Sequence, residues 1–166
     1  MVLATADARG HPSTRVVLLK DLDDRGFVFY TNLESRKGRQ LAENPRAAVT
    51  IFVQPLREQA NAEGRIERVT DGEADAYWLT RPHESQVGAW ASDQSRPLES
   101  RDELMVRFED LLEEYEGREV ARPQHWSGYR LVPERIELWV GKEHRLHDRT
   151  LYEKRQGIWT RTLLYP

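Results

Sequence analysis

The sequence predicts a mainly β fold with helical insertions, and three observations lead there. Short runs of β-branched and aromatic residues alternate with turn residues through the first half and again through the tail. The βαβ alternation of a parallel sheet is missing, as are the glycine-rich phosphate loops GxGxxG and GxxxxGK[ST]. About eight short strands with three or four helices then favour a closed or partly closed antiparallel barrel.

Val2-Leu3-Ala4-Thr5 leads through Asp7-Ala8-Arg9-Gly10 to the strand Arg15-Val16-Val17-Leu18-Leu19-Lys20. Asp23-Asp24-Arg25-Gly26 turns that strand into Phe27-Val28-Phe29-Tyr30-Thr31, because aspartate and a closing glycine are hairpin residues. Ser35 to Ala42 reads as a short helix ended by Asn44-Pro45, since proline disfavours helical backbone just before it. Strands resume at Ala47 to Val53 and around Arg65 to Val69. Between them Glu58 to Gly64 is poor in strand formers and reads as a loose edge.

Thr70 with Glu73 and Ser100 with Glu103 have capping-box spacing and open two helices. Leu104, Phe108, Leu111, Leu112 and Tyr115 form an apolar stripe on the second, which ends near Gly117 and is a core face. A third helical stretch breaks at Pro82, with Ser85 as the N-cap of the next helix. The tail returns to strands at Tyr129 to Val132, Ile136 to Val140, Thr150 to Tyr152 and Ile158 to Leu163, with a turn at Gln156-Gly157.

A chain of 166 residues with 39% hydrophobic content builds one domain, here 1–166. No apolar run reaches the length of a membrane span and no signal peptide is visible, so the expectation is a cytoplasmic protein without a membrane partner. Zero cysteines exclude disulfides, thiolate metal sites and cysteine nucleophiles. A net charge of −3 excludes the broad basic field of a nucleic-acid binder, so any anion site is a local cluster. Metal binding by His144 and His147 lacks a third ligand and is not expected.

The densest such cluster is His144-Arg145-Leu146-His147-Asp148-Arg149, five ionisable side chains in six residues, following Ile136 to Val140. In extended backbone Arg145, His147 and Arg149 share one face. That face suits a planar anion, because arginine forks onto phosphate or carboxylate and stacks on π-systems while histidine bonds or exchanges a proton. Taken alone, the run also fits a charged, solvated edge strand. Arg36 and Lys37 follow Ser35 at a helix start, where free N–H groups and the helix dipole favour an anion. Tyr77 and Arg81 lie four apart on one helical face, near the hydroxyl of Ser85.

Arg15 to Lys20, Tyr30-Thr31, Ser35-Arg36-Lys37, Gln59, Tyr77 with Arg81 and Ser85, Gln86 to Trp90, Gln94-Ser95, Trp139 and Arg145 to Arg149 occur together in one order. In that order and spacing the chain resembles the pyridoxamine 5'-phosphate oxidase family, from Met1 to nearly its last residue. The resemblance implies an FMN-binding split β-barrel, a homodimer with two flavin sites at the subunit interface. The flavin contacts it implies are Arg15, Val16, Val17, Leu18, Leu19, Lys20, Tyr30, Thr31, Arg36, Lys37, Gln59, Gln94, Ser95, Trp139 and Arg149. Lys20, Tyr77, Arg81 and Ser85 are implied to hold a substrate phosphate, and Arg145 and His147 to stand beside its pyridine ring as the catalytic pair. The implied reaction is oxidation of pyridoxamine or pyridoxine 5'-phosphate to pyridoxal 5'-phosphate, with dioxygen as acceptor.

Two features depart from the pattern, the missing lid and the poor strand formers of Glu58 to Gly64, which are expected to weaken the Gln59 contact. The chain opens on the first barrel strand, so the expected domain lacks the N-terminal lid that family members carry over the active site. Arg15 and Lys20 have opposite parity in a regular strand and serve one pocket only if the strand bends or bulges. Two rival readings stand beside the main one. One is an FMN oxidase of the same fold acting on another reduced aromatic, of the phenazine type. The other is a binding protein that retains FMN or pyridoxal phosphate without turnover.

Overall fold

A computed structural model describes residues 1–166. The strands are β1 (Val2–Ala6), β2 (Pro12–Val16), β3 (Asp21–Asp23), β4 (Gly26–Asn32), β5 (Arg46–Val53), β6 (Glu58–Arg68), β7 (Trp126–Val140), β8 (Asp148–Arg155) and β9 (Ile158–Leu164). The helices are α1 (Arg36–Glu43), α2 (Asp71–Leu79), α3 (His83–Ala91) and α4 (Arg101–Glu114). Two compact units emerge. The first comprises Met1–Phe29, Gln40–Glu67 and Tyr129–Pro166, and the second Tyr30–Arg39 and Arg68–Gly128. No helix is long and apolar enough to cross a membrane.

The sheet of the first unit runs β2-β1-β5-β6-β7-β4-β3, with β8 on β7 and β9 on β8. Its terminal strands β2 and β3 are neighbours in sequence, joined only by residues 17–20. Laid flat, seven strands would put these edges about 29 Å apart, six spacings of about 4.8 Å. The connection reaches at most about 17 Å. The sheet must therefore curl until its edges approach, which is a split barrel. The connection shows the crossing, since Val17 N–H donates to the Met1 carbonyl and Lys20 N–H to the Val28 carbonyl, both at 2.9 Å.

This geometry corrects the expected strand Arg15 to Lys20. Regular β structure stops at Val16, so strand parity does not apply between Arg15 and Lys20. The expected loose edge at Glu58 to Gly64 is also corrected. It belongs to β6, which lies between β5 and β7 and pairs with β5 from Arg46↔Arg65 to Val53↔Glu58. Small residues belong there for packing reasons. Asn61 faces Thr50 directly and accepts its hydroxyl at 2.8 Å, and Ala62 is buried. A Cβ on Gly64 would run into the Val132 carbonyl of β7. Gly64→Ala should cost about 1–3 kcal/mol by overpacking. Thermal unfolding checks this, and an unchanged midpoint would contradict so close an approach of β6 to β7.

The two expected tail strands Tyr129 to Val132 and Ile136 to Val140 are one continuous strand, β7, fifteen residues long. Its second half pairs with β8, from Arg135↔Glu153 to Val140↔Asp148. Gln156 and Gly157, both at positive φ, make the tight turn between β8 and β9. Leu3, Phe29, Val49, Ala62, Leu131 and Leu151 fill the interior of this unit. The hairpin before β4 is held by Asp23, whose carboxylate accepts from the Arg25 and Gly26 amides and from the buried Arg130 guanidinium.

In the second unit Trp78, Val87, Val120 and Trp126 form a core against which Phe108, Leu111, Leu112 and Tyr115 of the α4 stripe pack. The Trp78 indole donates to the Val120 carbonyl at 2.7 Å, so the buried ring leaves no polar atom unmatched. Thr70 and Glu73 make both halves of a capping box, whereas Ser100 caps α4 by accepting from the Glu103 amide. The expected Ser85 cap is replaced. Pro82 occupies the N-cap of α3, and Ser85 sits one turn inside it.

Candidate functional site

In the second unit the start of α1 gathers a polar cluster around a buried ammonium. Ser35 caps the helix by accepting from the Gly38 amide at 3.3 Å and donates to the Asn32 carbonyl at 2.7 Å. Gly38 is required there, because a Cβ would collide with the Leu33 carbonyl. Lys37, 8% exposed, donates to Gln94 Oε1 at 2.8 Å, to Thr31 Oγ1 at 3.0 Å and to Ser35 Oγ at 3.2 Å. Thr31 also donates to Gln94 at 3.1 Å. An ammonium held at a helix start, where the helix dipole also favours negative charge, is suited to a phosphate. Arg36 is exposed at the first position of α1, and Ser95 follows Gln94 with φ of 72°. Tertiary structure thus brings together Thr31, Lys37 and Gln94, which the chain separates by up to 63 residues.

A second cluster in this unit is an aromatic stack with a cation upon it. Tyr30 stacks on Tyr77 at 4.0 Å and on Trp126 at 5.3 Å, and Trp78 meets Trp126 edge-on at 4.9 Å. The Arg81 guanidinium lies 4.7 Å from the centre of Trp126 and 5.1 Å from that of Trp78, and donates to the Ser85 carbonyl. Burial pushes Arg81 below its ordinary value, with Tyr77 pulling the other way. A partly desolvated cation held rigidly beside an exposed serine hydroxyl is suited to a phosphate. The sequence stripe placed Tyr77, Arg81 and Ser85 near each other but did not show that Trp78 and Trp126 form the bed beneath Arg81.

In the first unit Arg15 is built into a network across β1 and β2. It donates to Thr5 Oγ1 at 2.7 Å, to Ser13 Oγ and to the Leu3 carbonyl, and Gln40 accepts from both hydroxyls. Val16 and Leu18 of the adjoining connection are exposed, as is Lys20, while Gln59 is half-buried opposite Phe52.

The His144–Arg149 run is not extended, which corrects the common face expected for Arg145, His147 and Arg149. Glu143–Arg145 form a 3-10 turn in which His144 and Arg145 have φ of 56° and 62°, and strand resumes only at Asp148. Arg145 is therefore carried on an exposed turn. His147 lies against Trp139, ring centres 4.6 Å apart, and Trp139 stands directly opposite Arg149 in the ladder. Arg149 donates to Glu137 at 2.8 Å and to the Tyr165 carbonyl at 3.1 Å. The Glu137 bond holds its guanidinium above its ordinary value, against burial. Glu137 went unnoticed in the sequence, although a carboxylate two residues before Trp139 shares its strand face. No group of three His, Cys, Asp or Glu side chains is placed to hold a metal.

The buried ammonium with its hydroxyls and helix amides in the second unit suits the phosphate group of a cofactor. A curled antiparallel sheet with such donors defines the class of FMN-binding split-barrel proteins. Residues 1–114 match the family described as pyridoxamine 5'-phosphate oxidase, and residues 126–166 match the pyridoxine 5'-phosphate oxidase C-terminal dimerisation region. All 166 residues align at 57% identity with pyridoxine/pyridoxamine 5'-phosphate oxidase of Myxococcus xanthus DK1622, covering 81% of that protein. The structure of PhzG from Burkholderia lata 383, solved with tetrahydrophenazine-1-carboxylic acid, superposes with a TM-score of 0.95 at 34% identity, covering 99% of this chain and 81% of that one. An FMN-binding protein of Nostoc punctiforme PCC 73102 shares the fold at a TM-score of 0.81 and 17% identity, over 99% and 87% of the two chains. The chain belongs to the pyridoxamine 5'-phosphate oxidase family of FMN-dependent oxidoreductases.

Proposed function

We propose that this protein oxidises pyridoxamine or pyridoxine 5'-phosphate to pyridoxal 5'-phosphate while dioxygen is reduced to hydrogen peroxide, acting as a cytoplasmic homodimer with FMN at the subunit interface. The observation that carries this reading is the buried Lys37 ammonium among Thr31, Ser35 and Gln94 at the start of α1. When bound, FMN supplies the two-electron chemistry that no side chain here offers.

In this reading Lys37, Arg36 and the α1 amides hold the flavin phosphate, with Tyr30, Thr31, Gln94 and Ser95 beside them in the second unit. Arg15, Val16, Val17, Leu18, Leu19, Lys20, Gln59, Trp139 and Arg149 are assigned to FMN by the family resemblance. Tyr77, Arg81 and Ser85 bind the substrate phosphate, a role also assigned to Lys20. Arg145, on its exposed turn, presses on the pyridine ring, and His147 bonds to a ring substituent. The domain functions as one piece, residues 1–166.

The PhzG likeness favours a second reading, an oxidase for another reduced aromatic. Such a substrate leaves Arg81 and Ser85 without a phosphate to bind. Anaerobic addition of pyridoxine 5'-phosphate and, separately, pyridoxamine 5'-phosphate to the FMN-loaded protein decides between them. The expected result is loss of the yellow flavin absorption with one pyridoxal 5'-phosphate formed per flavin. A flavin that stays oxidised with both would defeat the proposal.

A further inference from the structure

The loop between β7 and β8 is tied down by backbone groups. Gly141 N–H donates to the Arg57 carbonyl at 2.8 Å, and Leu146 N–H to the Glu143 carbonyl at 3.1 Å. The Lys142 N–H has a different acceptor, Nδ1 of His147, at 3.1 Å. The same imidazole lies against Trp139, its plane tilted 48° to the indole. A Cβ on Gly141 would press on both Arg57 and Trp139, so the loop base is closely packed.

We propose that the Lys142 backbone amide is a positioning group that locks the neutral His147 ring as its Nε2–H tautomer, making His147 a hydrogen-bond donor to the substrate and not its base. A backbone N–H can only donate, so the nitrogen facing it must present a lone pair. A neutral imidazole with Nδ1 unprotonated carries its proton on Nε2. A flip of the ring about Cβ–Cγ would put Cδ2 where Nδ1 stands and give up the amide bond. Nε2 is then the nitrogen available to a substrate, and it offers a proton to hydrogen-bond. An anionic oxygen on a pyridine ring is the chemistry that matches. The Lys142 ammonium also pairs with Asp148 at 3.1 Å, but the two side chains are 50% and 68% exposed, so solvent and salt weaken that restraint. The amide is the part of Lys142 that sets the tautomer.

The donor role rests on the placement of His147 at the substrate, and two measurements separate the claims. In 1H–15N spectra of the uniformly labelled, FMN-loaded protein, read above the imidazole titration, His147 is assigned by its disappearance in His147→Gln. The expected pattern is a protonated Nε2 and a pyridine-like Nδ1; a protonated Nδ1, or an even mixture, would overturn the lock. Asp148→Asn should leave that pattern unchanged, and a shift towards a mixture would give the restraint to the ion pair instead. The kinetic arm compares His147→Gln, whose amide N–H reaches the Nε2 position, with His147→Asn, whose amide reaches only the Nδ1 position. His147→Gln should keep at least about tenfold more kcat than His147→Asn. Equal reduced kcat in both would overturn the donor role. Full kcat in both would remove His147 from the substrate site, a failure of the functional reading that leaves the tautomer result standing.

Discussion

Replacing Lys37 with methionine should lower FMN affinity about 100-fold while leaving the fold intact. The side chain is 8% exposed and donates to Thr31, Ser35 and Gln94. A hydrogen bond from a charged donor is worth about 1.5–3 kcal/mol, and the upper part of that range corresponds to about two decades of affinity. Methionine matches lysine in length and fills nearly the same volume, so the apoprotein should still fold. Fluorescence titration of FMN against the apoprotein reads the affinity, and thermal unfolding without FMN reads the stability. An FMN affinity within threefold of the parent would remove Lys37 from the flavin phosphate.

Replacing Arg81 with alanine should raise KM for either phosphorylated substrate about 100-fold and leave FMN affinity unchanged. The charge-assisted bonds to a phosphate account for that magnitude. Arg81→Lys should recover little of it. The guanidinium lies against both Trp126 and Trp78 and donates to the Ser85 carbonyl, a set of contacts that a compact ammonium cannot reproduce at once. Steady-state kinetics with saturating FMN separates KM from kcat. A variant with normal KM would move the phosphate elsewhere and favour a substrate of the phenazine type. The two substitutions therefore test different phosphates, that of the cofactor and that of the substrate.

Local chemistry made much of this protein legible. The Asp23 to Gly26 and Gln156-Gly157 turns, the Thr70 and Ser100 caps and the α4 stripe all appear where short-range rules place them, because each depends on neighbours within a few residues. What misled the reading depends on distant partners. Glu58 to Gly64 looked weak because alanine, asparagine and glycine lack intrinsic strand preference, yet β5 and β7 hold it on both sides. The His144–Arg149 run looked extended because strand flanked it, yet Gly141 bonds to the Arg57 carbonyl at the loop base and His144 and Arg145 take positive φ.

The same division applies to the site. Residue types and their order were enough to indicate a mainly β chain of this oxidase family. Only the tertiary structure decided that Lys37 is buried against Thr31 and Gln94 and that Trp126 joins Trp78 beneath Arg81. Hydrogen-bond partners many residues apart, and the burial that gives a charge its strength, arise only when the chain has closed upon itself; no local pattern encodes them.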